Sequence, residues 1–167
     1  MIGYQVDECL DSKRLVKWCA AEGLVTLRRF PRKLKEQEDP QVLDTILPSG
    51  SSLVTTDREI HWRHSTHIPD KHPGILIVAS SDSSCTIRIR DVERILRQFK
   101  SSFPGWHSTS LQNSILEITE QQAEVCKVTG GIAARIGWVE FAKEGWQDEL
   151  RGMLSQSAKG QQAIVND

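Results

Sequence analysis

Three aspartates stand where an α/β sheet could bring them together. Asp7 follows the apolar, β-prone residues 2–6, and Asp57 follows residues 52–56 in the same way. Ligands of an open α/β sheet bind in the crevice outside the carboxyl ends of its strands, so both side chains are predicted there. Asp39 precedes a proline and is predicted to be the N-cap of a short helix, from which it could converge on the same crevice.

Carboxylates that share one crevice repel one another unless a cation neutralises them. Glu8 adjoins Asp7, and Glu59 lies two residues after Asp57, so both could join the group. Such hard oxygen ligands are typical of a Mg²⁺ or Mn²⁺ site, and these ions assist phosphodiester hydrolysis. The residues alone leave a plainer interpretation open, in which Asp39 only caps a helix and Asp57 and Glu59 are ordinary polar residues at a strand end.

Two other groups of residues offer alternatives to this ligand set. Asp44 lies five residues after Asp39, about a turn and a half along the same helix, so it is expected to face differently. We prefer Asp39 because the start of the helix should be nearer the strand ends. His61, His64 and His67 could bind zinc or nickel, but no carboxylate or thiol spacing completes a known ligand set, and a solvated loop is the preferred interpretation.

Hydrophobic periodicity predicts the elements that would position these side chains. Strands alternate with helices through most of the chain, which predicts an α/β fold with a central, mostly parallel sheet. We predict strands over residues 2–6, 24–27, 52–56, 74–79, 114–118, 124–128 and 134–139, and helices over residues 12–22, 39–47, 90–103 and 146–154. The last three strands, separated by polar or Gly-Gly turns, form a β-rich extension in this prediction.

Four short motifs occur in a characteristic order along residues 2–100. They are Asp7-Glu8-Cys9-Leu10, Asp39-Pro40-Gln41-Val42-Leu43, Leu53-Val54-Thr55-Thr56-Asp57-Arg58-Glu59 and Pro73-Gly74-Ile75-Leu76-Ile77-Val78. In this order the motifs resemble those of the PIN-like domains. The resemblance implies a three-layer α/β/α fold and a Mg²⁺- or Mn²⁺-dependent ribonuclease, often the toxin of a bacterial toxin–antitoxin pair, with an antitoxin protein as partner.

By the same resemblance, each acidic residue matches a position of the PIN-like motif. Asp7 matches the first metal-binding acid, Asp39 the helix acid and Asp57 the acid of the Thr-x-Asp motif; Glu8 and Glu59 match the residues that adjoin the first and follow the last. Glu59 and Ile60 stand where the motif usually has Asp and an aromatic residue. These departures motivate an alternative, a non-catalytic PIN-like protein-interaction module, and a DNA nuclease of the same architecture is a further one.

Basic and aromatic residues near the predicted crevice are candidates for binding RNA. Arg28, Arg29 and Arg32 belong to a basic run that could hold backbone phosphates, although such runs are also common on solvated surfaces. Arg58 and Trp62 follow Asp57 closely, and the tryptophan could stack on an unpaired base.

Length and composition predict one domain of ordinary globular type. The chain has 167 residues, 38% of them hydrophobic, and a net charge of −1, so its total charge does not indicate a nucleic-acid binder. We expect a PIN-like domain over residues 1–142, with core motifs in 2–100 and the extension in 105–142, and a polar, mobile tail over 143–167. The four cysteines form no C-x-x-C pair, and no signal or membrane segment is evident, which favours a cytoplasmic protein.

Self-association is predicted through the helix over residues 90–103 and the apolar residues of the extension that follows it. They could extend the core or form an exposed edge that a second chain would cover, and a homodimer is therefore expected. The residues concerned are Ile115, Leu116, Ile118, Val125 and Val128.

Overall fold

The computed structural model describes residues 3–23, 26–82, 87–105, 111–129 and 132–159. The strands in these ranges are β1 (Gly3–Val6), β2 (Leu27–Arg28), β3 (Ser51–Thr55), β4 (Ile75–Val78), β5 (Ile115–Ile118), β6 (Gln122–Thr129) and β7 (Ile132–Glu140). They form one sheet in the order β2-β1-β3-β4-β5-β6-β7. Neighbouring strands from β2 to β5 pair in parallel, whereas β5 with β6 and β6 with β7 pair antiparallel. The predicted α/β fold with a mostly parallel sheet is confirmed.

The helices of the described ranges are α1 (Lys13–Ala21), α2 (Asp39–Ile46), α3 (Ile60–Arg63), α4 (Ile89–Ser102) and α5 (Trp146–Lys159). Helices α1, α4 and α5 form one group, in which Arg14 of α1 pairs with Glu93 of α4, and Phe99 of α4 packs against Trp146 of α5. Helix α2 instead contacts the segment that follows α3. Within the described ranges, no helix combines the length and the apolar character needed to cross a bilayer.

The first βα unit illustrates why these residues form these elements. The Ser12 side chain accepts a hydrogen bond from Leu15 N at 3.3 Å, which makes Ser12 the N-cap of α1. Leu15 and Cys19, four positions apart on one face of the helix, are both buried. Gly23, in the left-handed region at φ 63°, follows the end of the helix.

Two local predictions were wrong at the start of α2 and after β3. Glu38 is the N-cap of α2, and Asp39 is its first residue, because the helix begins one position earlier than the Asp-Pro pair suggested. The histidine-rich segment is not a loop throughout: it contains α3 and a 3₁₀ turn over Ser65–His67.

In the second strand, the structure describes Leu27–Arg28, while residues 24 and 25 lie outside the described ranges.

The C-terminal third continues the sheet. Strand β5 pairs in parallel with β4, and β6 and β7 extend the sheet beyond it. Four of the residues predicted to extend the core or form an exposed edge are buried in the single chain: Ile115, Leu116, Ile118 and Val125. The side chain of Val128 lies outside the described part of the chain. These four residues therefore belong to the core, and homodimerisation stays a prediction without this support.

The polar segment after residue 142 contains the helix predicted over residues 146–154, and the structure extends this helix to residue 159. Helix α5 runs over Trp146–Lys159, and Trp146, Leu150 and Leu154 are buried in the same core as the sheet. The three residues are spaced by four, so one face of a mostly polar helix is enough to anchor it. Residues 160–167 lie outside the described ranges.

Candidate functional site

The strand order reverses between β1 and β3. From β1 the chain first moves outward to β2 and then returns to place β3 on the other side of β1. The connections that leave β1 and β3 therefore lead to different helices, and such a switch point opens a crevice at the carboxyl ends of the two strands. Asp7 directly follows β1, and Asp57 follows β3 after one further residue. The structure brings these two predicted residues to the same junction.

A single hydroxyl connects the two predicted ligands. Thr55 Oγ1 donates a hydrogen bond to Asp7 Oδ2 at 2.8 Å and accepts one from the backbone nitrogen of Asp57 at 3.0 Å. The Thr55 side chain is buried. Strand pairing sets this geometry, because Asp7 N also donates to the Val54 carbonyl oxygen at 2.8 Å. The Asp7 carboxylate is therefore held in a fixed position relative to the turn that carries Asp57.

Neighbouring groups also contact the Asp7 carboxylate. Glu8 N donates to Asp7 Oδ1 at 2.7 Å, which makes Asp7 the N-cap of a short 3₁₀ helix. The Cys9 thiol lies 3.5 Å from Asp7 Oδ2 and 3.2 Å from Thr56 Oγ1. Cys9 is exposed as a residue, but desolvation of its thiol by the neighbouring groups, followed by the negative charge of Asp7, raises the pKa of Cys9, so this group is a neutral thiol at neutral pH.

The Asp57 carboxylate has one oxygen engaged and one available. Asp57 Oδ1 accepts a hydrogen bond of 2.8 Å from Glu59 N, at the turn that leads into α3. Its Oδ2 accepts no hydrogen bond from the part of the chain that the structure describes. Hydrogen bonds to one oxygen orient a carboxylate for a ligand on the other. The site can therefore present Asp57 Oδ2 to a cation.

Each acid of helix α2 is paired with a different histidine. Asp39 Oδ2 lies 3.4 Å from His64 Nε2, and Asp44 Oδ2 lies 3.1 Å from His67 Nδ1. These pairs attach α2 to the segment after α3. No described hydrogen bond or ion pair joins Asp39 to Asp7 or Asp57. The choice between Asp39 and Asp44 as a site residue stays a prediction.

The carboxylates of Asp7 and Asp57 fit an open metal site better than a closed one with three or more protein ligands. Among the described residues, no group of three or more His, Cys, Asp and Glu is arranged to hold a metal ion. Mg²⁺ is commonly bound through one or two carboxylates, with waters and substrate phosphates completing its ligands. Asp7 and Asp57 fit that open type of site, whereas a closed cage of three aspartates does not form.

The carboxylates of Glu8 and Glu59 contact other residues than the two aspartates. Glu8 is exposed, and its Oε2 accepts a hydrogen bond from Glu36 N at 3.3 Å. Glu59 forms an ion pair with Arg63 one helical turn further on. Neither carboxylate contacts Asp7 or Asp57 through a described side-chain hydrogen bond, although the backbone nitrogens of both glutamates bind those aspartates.

The basic run differs in how its members are engaged. Arg29 forms two hydrogen bonds of 2.7 Å with Asp11, and these bonds lower the pKa of the Asp11 carboxyl group. Arg28 and Arg32 are exposed. Arg29 is exposed as well, so the three differ in that the Arg29 guanidinium is already paired with a carboxylate.

Arg58 and Trp62 occupy different environments. Arg58 forms an ion pair with the buried Glu117 of β5 and donates to the Ser80 carbonyl oxygen at 3.4 Å. Trp62 is 54% exposed, and the Arg63 guanidinium lies 5.7 Å from the centre of its ring. The tryptophan is thus accessible to a planar ligand, while Arg58 is fixed at the carboxyl ends of the strands.

The sequence prediction missed three residues of this region. Thr55 and Cys9 contact the Asp7 carboxylate, and Glu117 holds Arg58. A signal was present for two of them: Thr55 stands two residues before the predicted ligand Asp57, and Glu117 interrupts an otherwise apolar strand. No pattern in the sequence indicated the position of the Cys9 thiol.

Comparisons with protein families, with curated proteins and with solved structures found no match to this chain.

Proposed function

We propose that the chain is a divalent-metal-dependent endoribonuclease of the PIN-like type, with its active site at the junction of β1 and β3. The observation that carries the proposal is the pair Asp7 and Asp57, which follow adjacent parallel strands at the topological switch point and are linked through Thr55. The ordered PIN-like motifs of residues 2–100 add to this argument, and a PIN-like three-layer α/β/α arrangement with a C-terminal extension is part of the same proposal.

In the proposed site, Asp7 and Asp57 would hold Mg²⁺ or Mn²⁺. The bound ion would supply charge neutralisation at a phosphodiester and activation of the attacking water. The chain's own residues orient the ligands: Thr55 holds Asp7 through Oδ2, Glu8 N holds it through Oδ1, and Glu59 N holds Asp57. A preorganised carboxylate loses little orientational freedom when it binds a cation, which favours binding.

Substitution of the two aspartates tests this activity. Asp7→Asn and Asp57→Asn each remove a ligand charge and should abolish cleavage of a single-stranded RNA oligonucleotide in the presence of Mg²⁺ or Mn²⁺. Asp70→Asn is the matched control, because Asp70 is an exposed carboxylate in the segment before β4 and should leave cleavage unchanged. Wild-type activity in both site variants would contradict the proposal, and cleavage of DNA but not RNA would favour the DNA nuclease.

A role as the toxin of a toxin–antitoxin pair extends the proposal. It rests on the resemblance to PIN-like toxins and would add an antitoxin protein to RNA as a partner. Expression of the wild-type chain should then arrest growth, whereas expression of Asp7→Asn should not. Growth arrest by both would show that toxicity does not depend on the acidic site.

A non-catalytic interaction module is the second candidate. The observation that favours it is the pairing of Asp39 with His64, together with the lack of a three-residue ligand group among the described residues. Calorimetric titration with Mn²⁺ distinguishes the two. Binding that is lost in Asp57→Asn and retained in Asp70→Asn supports the nuclease, and no binding at millimolar Mn²⁺ supports the module.

A further inference from the structure

Arg58 connects the acidic crevice to a buried carboxylate on another strand. It follows Asp57 directly; its Nη2 donates to Glu117 Oε1, and its Nη1 donates to the Ser80 carbonyl oxygen at 3.4 Å. Ser80 follows β4 and Glu117 belongs to β5. One guanidinium therefore spans the carboxyl ends of β3, β4 and β5, beside the two predicted ligands.

Glu117 lies in register with the site across the sheet. Thr55 is paired with Ile77, and Ile77 is paired with Glu117. Laterally paired residues project from the same face of a sheet, and neighbouring strands are about 4.8 Å apart. Glu117 therefore lies on the face from which Thr55 binds Asp7, about 10 Å from Thr55 along the sheet.

The fold buries Glu117 and leaves part of Arg58 accessible. Glu117 is 6% exposed, and a buried carboxylate is tolerated when it is paired with a cation and hydrogen-bonded. Apolar residues in place of such a pair often give equal or greater stability, so stability alone does not explain it. The Arg58 side chain is 35% exposed, and its guanidinium carries more N–H donors than Glu117 and Ser80 occupy.

We propose that Arg58 binds a backbone phosphate of the nucleic-acid substrate beside Asp7 and Asp57, and that Glu117 is the positioning residue that holds the guanidinium there. This inference rests on the proposed function, because it assigns a subsite of the same crevice. A planar guanidinium matches the geometry of a phosphate group, and its charge offsets the repulsion between phosphate and the two carboxylates.

RNA binding under non-cleaving conditions tests the role of Arg58. A fluorescent single-stranded oligoribonucleotide is titrated with Asp7→Asn protein at several salt concentrations. Adding Arg58→Gln should weaken binding about tenfold or more, and the slope of log K against log salt should become shallower by about 0.7. Arg58→Lys keeps the charge but not the planar fork, so it should keep the slope and lose part of the affinity.

Glu117→Gln separates two effects on RNA binding: the positioning of the Arg58 guanidinium by Glu117, and the net charge of the protein. Asp7→Asn already raises the net charge of the chain from −1 to 0, and Glu117→Gln raises it further to +1, so a purely electrostatic effect would tighten RNA binding. Loss of positioning should instead weaken binding. In that case the double variant Arg58→Gln with Glu117→Gln should bind no more weakly than Arg58→Gln alone, because both changes remove one interaction.

Glu93→Gln is the matched control for Glu117→Gln. Glu93 is 7% exposed and pairs with Arg14 at 2.6 Å between α4 and α1. Glu93→Gln therefore removes the same charge from an equally buried, paired glutamate, but at a different ion pair. It should leave RNA affinity unchanged. Thermal unfolding establishes that each variant is folded; if Glu117→Gln is not, the two Arg58 variants decide the proposal.

The outcomes distinguish this inference from the proposed function. Unchanged affinity and slope in Arg58→Gln, or tighter binding in Glu117→Gln, would overturn the inference while leaving the nuclease proposal intact. RNA binding with the expected variant effects, but without metal-dependent cleavage by the wild type, would support the subsite and contradict the nuclease. A wild-type protein that binds no RNA would overturn both.

Discussion

The hydroxyl of Thr55 donates a hydrogen bond of 2.8 Å to the carboxylate of Asp7 on the neighbouring strand. The same oxygen accepts from Asp57 N at 3.0 Å, and the threonine side chain is fully buried. A buried hydroxyl of this kind serves both stability and site geometry, because its removal leaves a carboxylate oxygen and a backbone N–H without this partner.

Replacement of this hydroxyl by a methyl group should affect stability and metal binding together. We expect Thr55→Val to lower the free energy of unfolding by about 1–3 kcal/mol, from the loss of buried hydrogen bonds. The Mn²⁺ affinity should fall about 10- to 100-fold, because Asp7 is less well oriented. Urea unfolding and calorimetry measure the two effects. Thr55→Ser keeps the hydroxyl and is the control, and an unaltered Mn²⁺ affinity in Thr55→Val would contradict the prediction.

His72 should make the stability of the fold depend on pH. Its imidazole is 3% exposed, and neither ring nitrogen has a hydrogen-bond partner among the described residues. Burial lowers the pKa of His72 from 6.5 to about 4. The unfolded chain therefore takes up the proton first as the pH falls, and the free energy of unfolding should decrease by roughly 3 kcal/mol in total between pH 6.5 and about pH 4.

His72→Leu isolates this contribution from those of the carboxylates. The variant should be at least as stable as the wild type at pH 7, because it removes two ring nitrogens that have no described partner. It should also lose less stability on acidification. Urea unfolding of both proteins at pH 7 and pH 5 measures the difference, and equal losses in the two proteins would show that His72 does not titrate in this range.

Two glycines should respond to alanine in opposite directions. Gly74 has φ 115°, and a Cβ atom there would lie 2.5 Å from Leu111 Cβ and from its carbonyl oxygen, so Gly74→Ala should destabilise the fold. Gly152 lies within helix α5, and apart from its chain neighbours and the helix's own backbone, no described atom lies within 4 Å of the position that an alanine methyl group would take there. Gly152→Ala should therefore stabilise the fold by about 0.5–1 kcal/mol. Thermal melts of the two variants should shift in opposite senses.

Helix α5 should contribute to the stability of the whole domain. Leu150 is fully buried in the common core, and Leu150→Ala should lower the free energy of unfolding by about 2–5 kcal/mol. Gln156→Ala changes an exposed residue of the same helix and should have little effect. If the two variants unfold at the same urea concentration, α5 does not pack as described.

Several elements were predictable because they depend on neighbours a few residues away. The helical spacing over residues 90–103 corresponds to α4 (Ile89–Ser102), and the apolar run over 74–79 corresponds to β4 (Ile75–Val78). The predictions around α5 were weaker because its buried apolar residues, Trp146, Leu150 and Leu154, form a narrow stripe on a mostly polar helix. A short apolar stripe on a polar helix resembles a solvated segment until the surface it packs against is known.

The sequence by itself determined the alternation of strands and helices and the placement of Asp7 and Asp57 at strand ends, since both follow from local hydrophobic patterns. Only the tertiary structure decided which side chains meet. Thr55 reaches Asp7 because β3 lies beside β1. Arg58 reaches Glu117 because β5 is the second strand from β3 in the sheet. Asp39 meets His64 because α2 packs near α3. Strand order and helix packing depend on contacts between segments far apart in the chain, and the pattern within any one segment does not specify them.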